Sequence, residues 1–294
     1  MGEPLPLPPL DLAERVGQST GSGMEPHDAY ELIGGYLRGI IERSLPDDWT
    51  WDDRRVLDFG SGAGRVLRQF AEEARVARFE GCDIDAPSIA WLNERLRPPF
   101  EGFVNAPSPP LDRPDDAYDL VYAMSVFTHI TDEWSAWLLE LRRVLKPDGI
   151  LIASFLGEGM SEMIAREPWD ERRVGMNVLH DHHSWDKGGP SVLLSPWWIR
   201  EHWGRAFEIV ELEDGTPNSH GYIVARPLPG VAPSRAELER VDPADTREHA
   251  ALAHNIRQLH RAGAELEASV RAEYEQSRSW RLTAPLRRIA GARR

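Results

Sequence analysis

Apolar residues along this chain fall into short blocks whose period switches between strand-like and helix-like. Residues 1–24 hold prolines and then Gly17, Gly21 and Gly23, so 1–25 reads as an irregular arm. Pro26 occupies a place that a first helical turn tolerates. Tyr30, Ile33, Leu37, Ile40 and Ile41 then recur at helical spacing and predict an amphipathic helix over 26–44. From 54 to 155 the pattern alternates. It predicts a strand through Val56–Phe59, a helix over Arg65–Ala77, a strand over Arg78–Ile84 and a helix over 87–96 capped by Asp85 and Ser88. A short strand around Phe103-Val104 and a buried strand at Tyr118–Met124 follow. Thr131 or Asp132 then caps a helix whose apolar positions are Trp134, Trp137, Leu138, Leu141 and Leu145. The Lys146-Pro147-Asp148-Gly149 turn leads to a last strand, Ile150–Phe155. Such alternation implies a parallel sheet with helices on both faces.

Composition narrows the function classes. The 294 residues allow one large or two ordinary domains. A net charge of −14 gives nucleic acid no electrostatic reason to bind, so no nucleic-acid partner is expected. The single Cys82 excludes an internal disulfide and fits a reducing compartment. No apolar run approaches the roughly 20 residues that span a bilayer. The start of the chain is Pro-rich and acidic, unlike a secretory signal, and the expected location is cytoplasmic.

The candidate chemistry centres on Val56-Leu57-Asp58-Phe59-Gly60-Ser61-Gly62-Ala63-Gly64-Arg65. A strand running into alternate glycines, then a helix start, lets a ligand approach the backbone and offers free N–H groups to an anion. The dinucleotide fingerprint would place its third glycine at 65, where Arg65 stands. That side chain disfavours a nicotinamide dehydrogenase and leaves a nucleoside carrying a smaller acidic group. Asp58 suits a ligand that also bears an ammonium group. Asp83, 19 residues beyond Gly64 at the end of the second strand, is placed for ribose hydroxyls, with Ile84 against the base. Asp58, Asp83, Asn105 and Ser125–His129 all fall at carboxyl ends of strands, where such sheets bind ligands.

Val56–Arg65, Gly81–Asp85, Tyr118–Ile130 and Leu141–Phe155 together resemble the Rossmann-like S-adenosylmethionine-dependent methyltransferases, a likeness spanning roughly 26–226. The resemblance implies a parallel seven-stranded sheet with a terminal antiparallel hairpin, here Ala206–Glu213 and Ser219–Arg226 joined around Asp214-Gly215. It implies that S-adenosylmethionine is the methyl donor. Gly60, Ser61, Gly62 and Gly64 would shape its methionine pocket, with Asp58 near the amino group and Asp83 and Ile84 on ribose and base. The loop from Asn105 and Ala106 to Ser108 would lie beside adenine, and Ser125 near the cofactor. Asn105, Ser108 and Asp112 are alternative readers of the adenine amino group. Residues 156–200, inside a domain of 26–228, become the acceptor-site insertion, which holds Trp169, Trp185, Trp197, Trp198 and His180-Asp181-His182-His183.

Methyl transfer is an in-line displacement that depends on alignment in a dry site, and a hydroxyl acceptor also benefits from a general base. His129 is the first candidate base, with His180, His182, His183 and His220 behind it. No metal is expected, because consecutive residues such as His-Asp-His-His seldom converge on one ion. Small-molecule or N-methylation is an alternative. So is a non-catalytic scaffold acting through a C-terminal helix.

Beyond a Pro/Gly linker at 227–233, residues 234–276 form a C-terminal helical arm. Leu252, Ile256, Leu259, Leu266 and Val270 follow a seam spacing interrupted by Gly263, which fits a short coiled coil and homo-oligomer or a long surface helix. Residues 277–294 carry six arginines and no acid, with Trp280, Leu282, Leu286 and Ile289 as an apolar side. Ser279–Arg287 resembles a tail on bacterial glycosyltransferases and related enzymes of surface-polysaccharide biosynthesis. That likeness implies a saccharide or lipid-linked glycan acceptor and docking at the inner membrane or a glycan-assembly complex.

Overall fold

The computed structural model describes residues 5–15, 24–183, 189–277 and 280. The arm expected to be irregular over 1–25 holds a short helix, α1 (Leu10–Arg15), and α2 (Pro26–Arg43) buries Tyr30, Leu37, Ile40 and Ile41 as their spacing predicts, with Ile33 half-buried. The strands are β1 (Arg55–Phe59), β2 (Arg78–Asp83), β3 (Glu101–Val104), β4 (Tyr118–Ala123) and β5 (Leu145–Phe155). Next come β6 (Met176–Leu179), β7 (Ser191–Leu194), β8 (Phe207–Glu213) and β9 (Gly221–Pro227). The main sheet has seven strands in the order β3-β2-β1-β4-β5-β9-β8. Its first five are parallel, while β9 runs antiparallel to both β5 and β8. The strand order reverses between β1 and β4, and a crevice opens there at their carboxyl ends.

Alternate residues of the central strands feed two apolar layers. Val56, Leu120, Tyr122, Ile150 and Ile152 face α2, while Leu57, Val121, Ala123, Leu151 and Ala153 face α4 (Trp134–Val144). Asp58 shares the parity of Val56 and so sits on the α2 side. At the opposite, amino end of the strands, Asp119 accepts from Arg54 Nη1 (2.9 Å), Lys146 Nζ (2.8 and 2.9 Å) and the Arg55 amide (2.9 Å).

Three local expectations are corrected. Arg65–Ala77 is not an α-helix but a run of turns with two short 3-10 segments, Leu67–Phe70 and Glu73–Arg75. The Gln69 carbonyl, which an α-helix would direct to residue 73, accepts instead from the Arg38 guanidinium. Glu133, not Thr131 or Asp132, is the N-cap of α4, and no side chain caps it. Lys146–Gly149 lies within β5 as an irregularity in its pairing with β4 rather than outside the strand. By contrast, Asp85 caps α3 (Ala86–Arg95), accepting from the Ser88 amide (3.2 Å) and, at the same oxygen, from Ser88 Oγ (2.5 Å).

The 156–200 stretch builds α5 (Glu158–Ala165), the β6–β7 hairpin and α6 (Pro196–His202). Trp197 and Trp198 are buried core residues, and Trp185 lies outside the described residues. After α7 (Arg235–Glu239), the 31-residue α8 (Thr246–Gln276) lies against β6. Gln258 Oε1 accepts from Asn177 Nδ2 (2.9 Å), Asn255 Oδ1 from the Val178 amide (3.0 Å), and Glu248 pairs with His202 (3.0 Å).

Candidate functional site

A cavity of about 600 Å³ occupies the crevice between β1 and β4. The size suits a nucleoside-bearing small molecule. Asp58, Gly60, Ser61, Gly62, Asp83, Ile84, Asn105, Ser125 and His129 line it, so nine of the residues singled out in the sequence converge. Gly64, Ala106, His180, His182, His183 and His220 do not line it.

The glycine turn explains the shape of one wall. Gly60 has φ +81°, and a Cβ there would meet Val126 Cγ2 at 2.3 Å. Only glycine lets the loop after β4 come this close. Gly60 and Ser61 donate their amides to the Cys82 carbonyl (2.8 and 2.9 Å), Gly62 to Asp83 Oδ2 (2.8 Å) and Gly64 to the Ser61 carbonyl (2.9 Å). Those four amides are therefore consumed within the protein, three by the end of β2 and one inside the turn. The expected helix start with free N–H groups is replaced by a braced loop, and positive charge comes from a side chain instead. Arg65 lines the cavity, is 6% exposed, and its Nε has no hydrogen-bond partner among the described residues.

Asp58 lies beside it, 2% exposed, with Oδ2 buried and unpartnered among the described residues. Burial, reinforced by the Asp83 charge, pushes its carboxyl up to about 8, against the opposing pull of the Tyr122 hydroxyl and Arg65. Burial also raises Asp83, although the amides of Asp85 and Gly62 hold its two oxygens at 2.8 Å each. Asn105 donates Nδ2 to the Ala106 carbonyl (2.8 Å) and leaves Oδ1 buried without a partner among the described residues. Trp137 Nε1 donates to the Pro107 carbonyl (3.1 Å), fixing the same loop against α4.

On the far side, Ser125 takes φ +60°, a left-handed conformation that costs a non-glycine residue about 1–2 kcal/mol. Its amide donates to Ser154 Oγ (2.7 Å) on β5. His129 is exposed at the rim, and its Nδ1 lies 2.7 Å from the Pro190 carbonyl. A carbonyl only accepts, so Nδ1 carries the hydrogen and Nε2 of the neutral ring is left with its lone pair. The Val192 amide donates to the Thr128 carbonyl (2.8 Å), which brings the β6–β7 hairpin to this rim.

The other histidines separate. His180, His182 and His183 cluster at the β6–β7 hairpin, with ring centroids 5.3 Å apart for His180 and His183 and 4.4 Å for His182 and His183. Among the described residues no group of three or more His, Cys, Asp or Glu could hold a metal ion. His220 precedes β9, with Nδ1 3.3 Å from Ser154 Oγ. Burial, helped by the nearby Arg65 guanidinium, lowers it to about 4. Sequence reasoning read Arg65 as an obstacle to one ligand rather than as a contact for another. It missed Pro190, which no motif marks, and the role of Ser154, whose place within Leu141–Phe155 does not single it out.

Residues 57–153 match the family described as "Methyltransferase domain". Over 102 residues the chain is 31% identical to an uncharacterized methyltransferase of Mycobacterium leprae, covering 35% of this chain and 37% of the relative. It is 29% identical over 150 residues to a malonyl-[acyl-carrier protein] O-methyltransferase of Halorhodospira halophila, covering 49% of each. The chain thus spans between a third and a half of the length of these curated relatives. In fold it is similar to a protein of Pyrococcus horikoshii, with a TM-score of 0.52 at 18% identity over 73% of this chain and 98% of that one.

Proposed function

We propose that this chain, whose residues 57–153 form a methyltransferase domain, transfers a methyl group from S-adenosylmethionine to an oxygen of a saccharide or lipid-linked glycan. The observation that carries the cofactor part is a set of buried polar atoms without partners among the described residues: Asp58 Oδ2, Arg65 Nε and Asn105 Oδ1. A carboxyl beside a guanidinium complements the ammonium and carboxylate of a methionine moiety. The Asn105 oxygen suits an adenine amino group, which favours it over Ser108 and Asp112. Asp83 is the ribose ligand in this reading, with Ile84 against the base, and Gly60–Gly62 and Ser125 form the walls. Bound there, S-adenosylmethionine supplies a sulfonium methyl group. The chain's own part is to align the acceptor, exclude water, and receive the acceptor proton at His129 Nε2.

O-directed transfer is supported by the His129 Nε2 lone pair, which Nδ1 bonding to Pro190 leaves available, and by the O-methyltransferase relative. The glycan acceptor rests on the wording of Ser279–Arg287, most of which lies outside the described residues. Calorimetry tests the cofactor: S-adenosylhomocysteine should bind with micromolar-range affinity and NADH should not, and the reverse result would sink the assignment. Incubation with methyl-labelled cofactor and lipid-linked glycan extract should label the glycan. Label appearing instead in fatty acid or malonyl-carrier protein would replace the acceptor while leaving the methyltransferase.

A further inference from the structure

Ser125 is a non-glycine residue in a left-handed turn at the end of β4, on the cavity wall where the acceptor side begins. Strained backbone at such a place persists only when its surroundings hold it. The brace is Ser154, whose hydroxyl is wholly buried and accepts the Ser125 amide hydrogen at 2.7 Å. A hydroxyl has one hydrogen of its own, and among the described residues its remaining side-chain partner is His220 Nδ1 at 3.3 Å. His220 is thereby assigned as the acceptor, with its ring hydrogen on Nε2. Burial, with the Arg65 guanidinium near, keeps this ring neutral at pH 7. Pairing of β5 with β9 puts Phe155 opposite Gly221 and Ser154 opposite Tyr222, so the sheet itself sets the distance between hydroxyl and imidazole.

We infer that Ser154 and His220 form a positioning relay, His220 to Ser154 to Ser125, that locks the left-handed turn on the methyl-transfer side of the cavity. His220 is a positioning residue here, not a base. Its purpose rests on the methyltransferase reading, but its existence does not. The relay joins the terminal hairpin to the β4 loop, so the last strands of the sheet help shape a site built by the first four.

The test uses the unliganded full chain. Ring-nitrogen NMR at pH 7 should show His220 neutral with hydrogen on Nε2. Amide exchange at Ser125 should accelerate about tenfold in His220→Leu and in Ser154→Ala, the loss of one buried hydrogen bond. The double variant should exchange no faster than Ser154→Ala. His220→Asn, whose side-chain oxygen can accept from Ser154, should restore slow exchange. A His220 ring carrying hydrogen on Nδ1, or unchanged Ser125 exchange in His220→Leu, overturns the relay. If Ser154→Ala does not fold, the His220 variants still decide. Calorimetry with S-adenosylhomocysteine on the same samples reports separately on the cofactor assignment.

Discussion

Asp58 is a buried acid whose carboxyl is pushed up to about 8, above its usual value near 3.8. A raised folded-state value means that the native protein holds a proton which the unfolded chain has released. Its favourable contribution is complete below the unfolded value and disappears as pH rises toward about 8. The ligand-free protein should therefore lose stability at about 1.4 kcal/mol per pH unit through that window. Thermal melts should show Asp58→Asn flattening the slope. The same carboxyl must ionise to meet an ammonium group, so S-adenosylhomocysteine binding at pH 7 should release protons in wild type and fewer in Asp58→Asn. Calorimetry in buffers of different ionisation enthalpy measures this. Arg65→Leu should weaken S-adenosylhomocysteine about 10- to 100-fold, the worth of a charged hydrogen bond. Adenosine, which lacks the carboxylate, should bind as before. If both ligands weaken alike, Arg65 is a packing residue. The convergence of Asp58, Asp83, Asn105 and His129 was legible because strand ends are readable from the alternation of elements. The direction in which Arg65 points was not, because spacing gives a residue's place on the chain and not its rotamer.

At the scale of elements, the alternating pattern predicted a parallel sheet covered by helices, and the family resemblance supplied the antiparallel hairpin that closes it. What failed was the segment after the glycines. Val66, Leu67 and Phe70 are buried as a helix would bury them, but the backbone follows Arg38, 31 positions earlier, which takes the Gln69 carbonyl. No local window contains that competitor. The Lys146–Gly149 stretch reads as a turn, yet Lys146 reaches back to Asp119 and ties β5 to β4 and β1. Although burial alone would raise Asp119, its bonds to Lys146, the Arg55 amide and Arg54 outweigh it and hold the carboxyl below its ordinary value. A depressed value contributes stability above the unfolded value, near 4, and loses it as pH falls through the folded one. Arg54 and Lys146 are each about one-third exposed, so solvent screens part of the gain. Asp119→Ala should cost about 2 kcal/mol at pH 7 in urea unfolding, less at pH 3, and leave cofactor affinity untouched.

Across the whole molecule, α8 stands out for how little of it the body holds. Its last buried residue is Gln258, and beyond it the helix runs to Gln276, exposing Leu266, Val270 and Tyr274. An isolated stretch of that length is marginal in water. Pairing between two copies would cover those residues and stabilise it. Sedimentation should show a reversible dimer that Leu266→Glu with Val270→Glu converts to monomer without changing S-adenosylhomocysteine affinity. A monomer at every concentration would end the self-association reading. Beyond α8, residues 277–294 carry +6, so the rest of the chain carries −20 of the total −14. A body of that sign is repelled by an anionic bilayer, and no described helix is long and apolar enough to cross one. The basic segment is the part of this chain whose charge suits such a surface. Each arginine near such a surface contributes about 1 kcal/mol, an attraction that salt screens within roughly 10 Å. The intact chain should co-sediment with phosphatidylglycerol vesicles at low salt, release as salt is raised, and ignore neutral vesicles. Deleting 277–294 should abolish the binding. Equal binding by the deleted chain, or binding indifferent to lipid charge, would remove the membrane from the account and leave the tail to a protein partner.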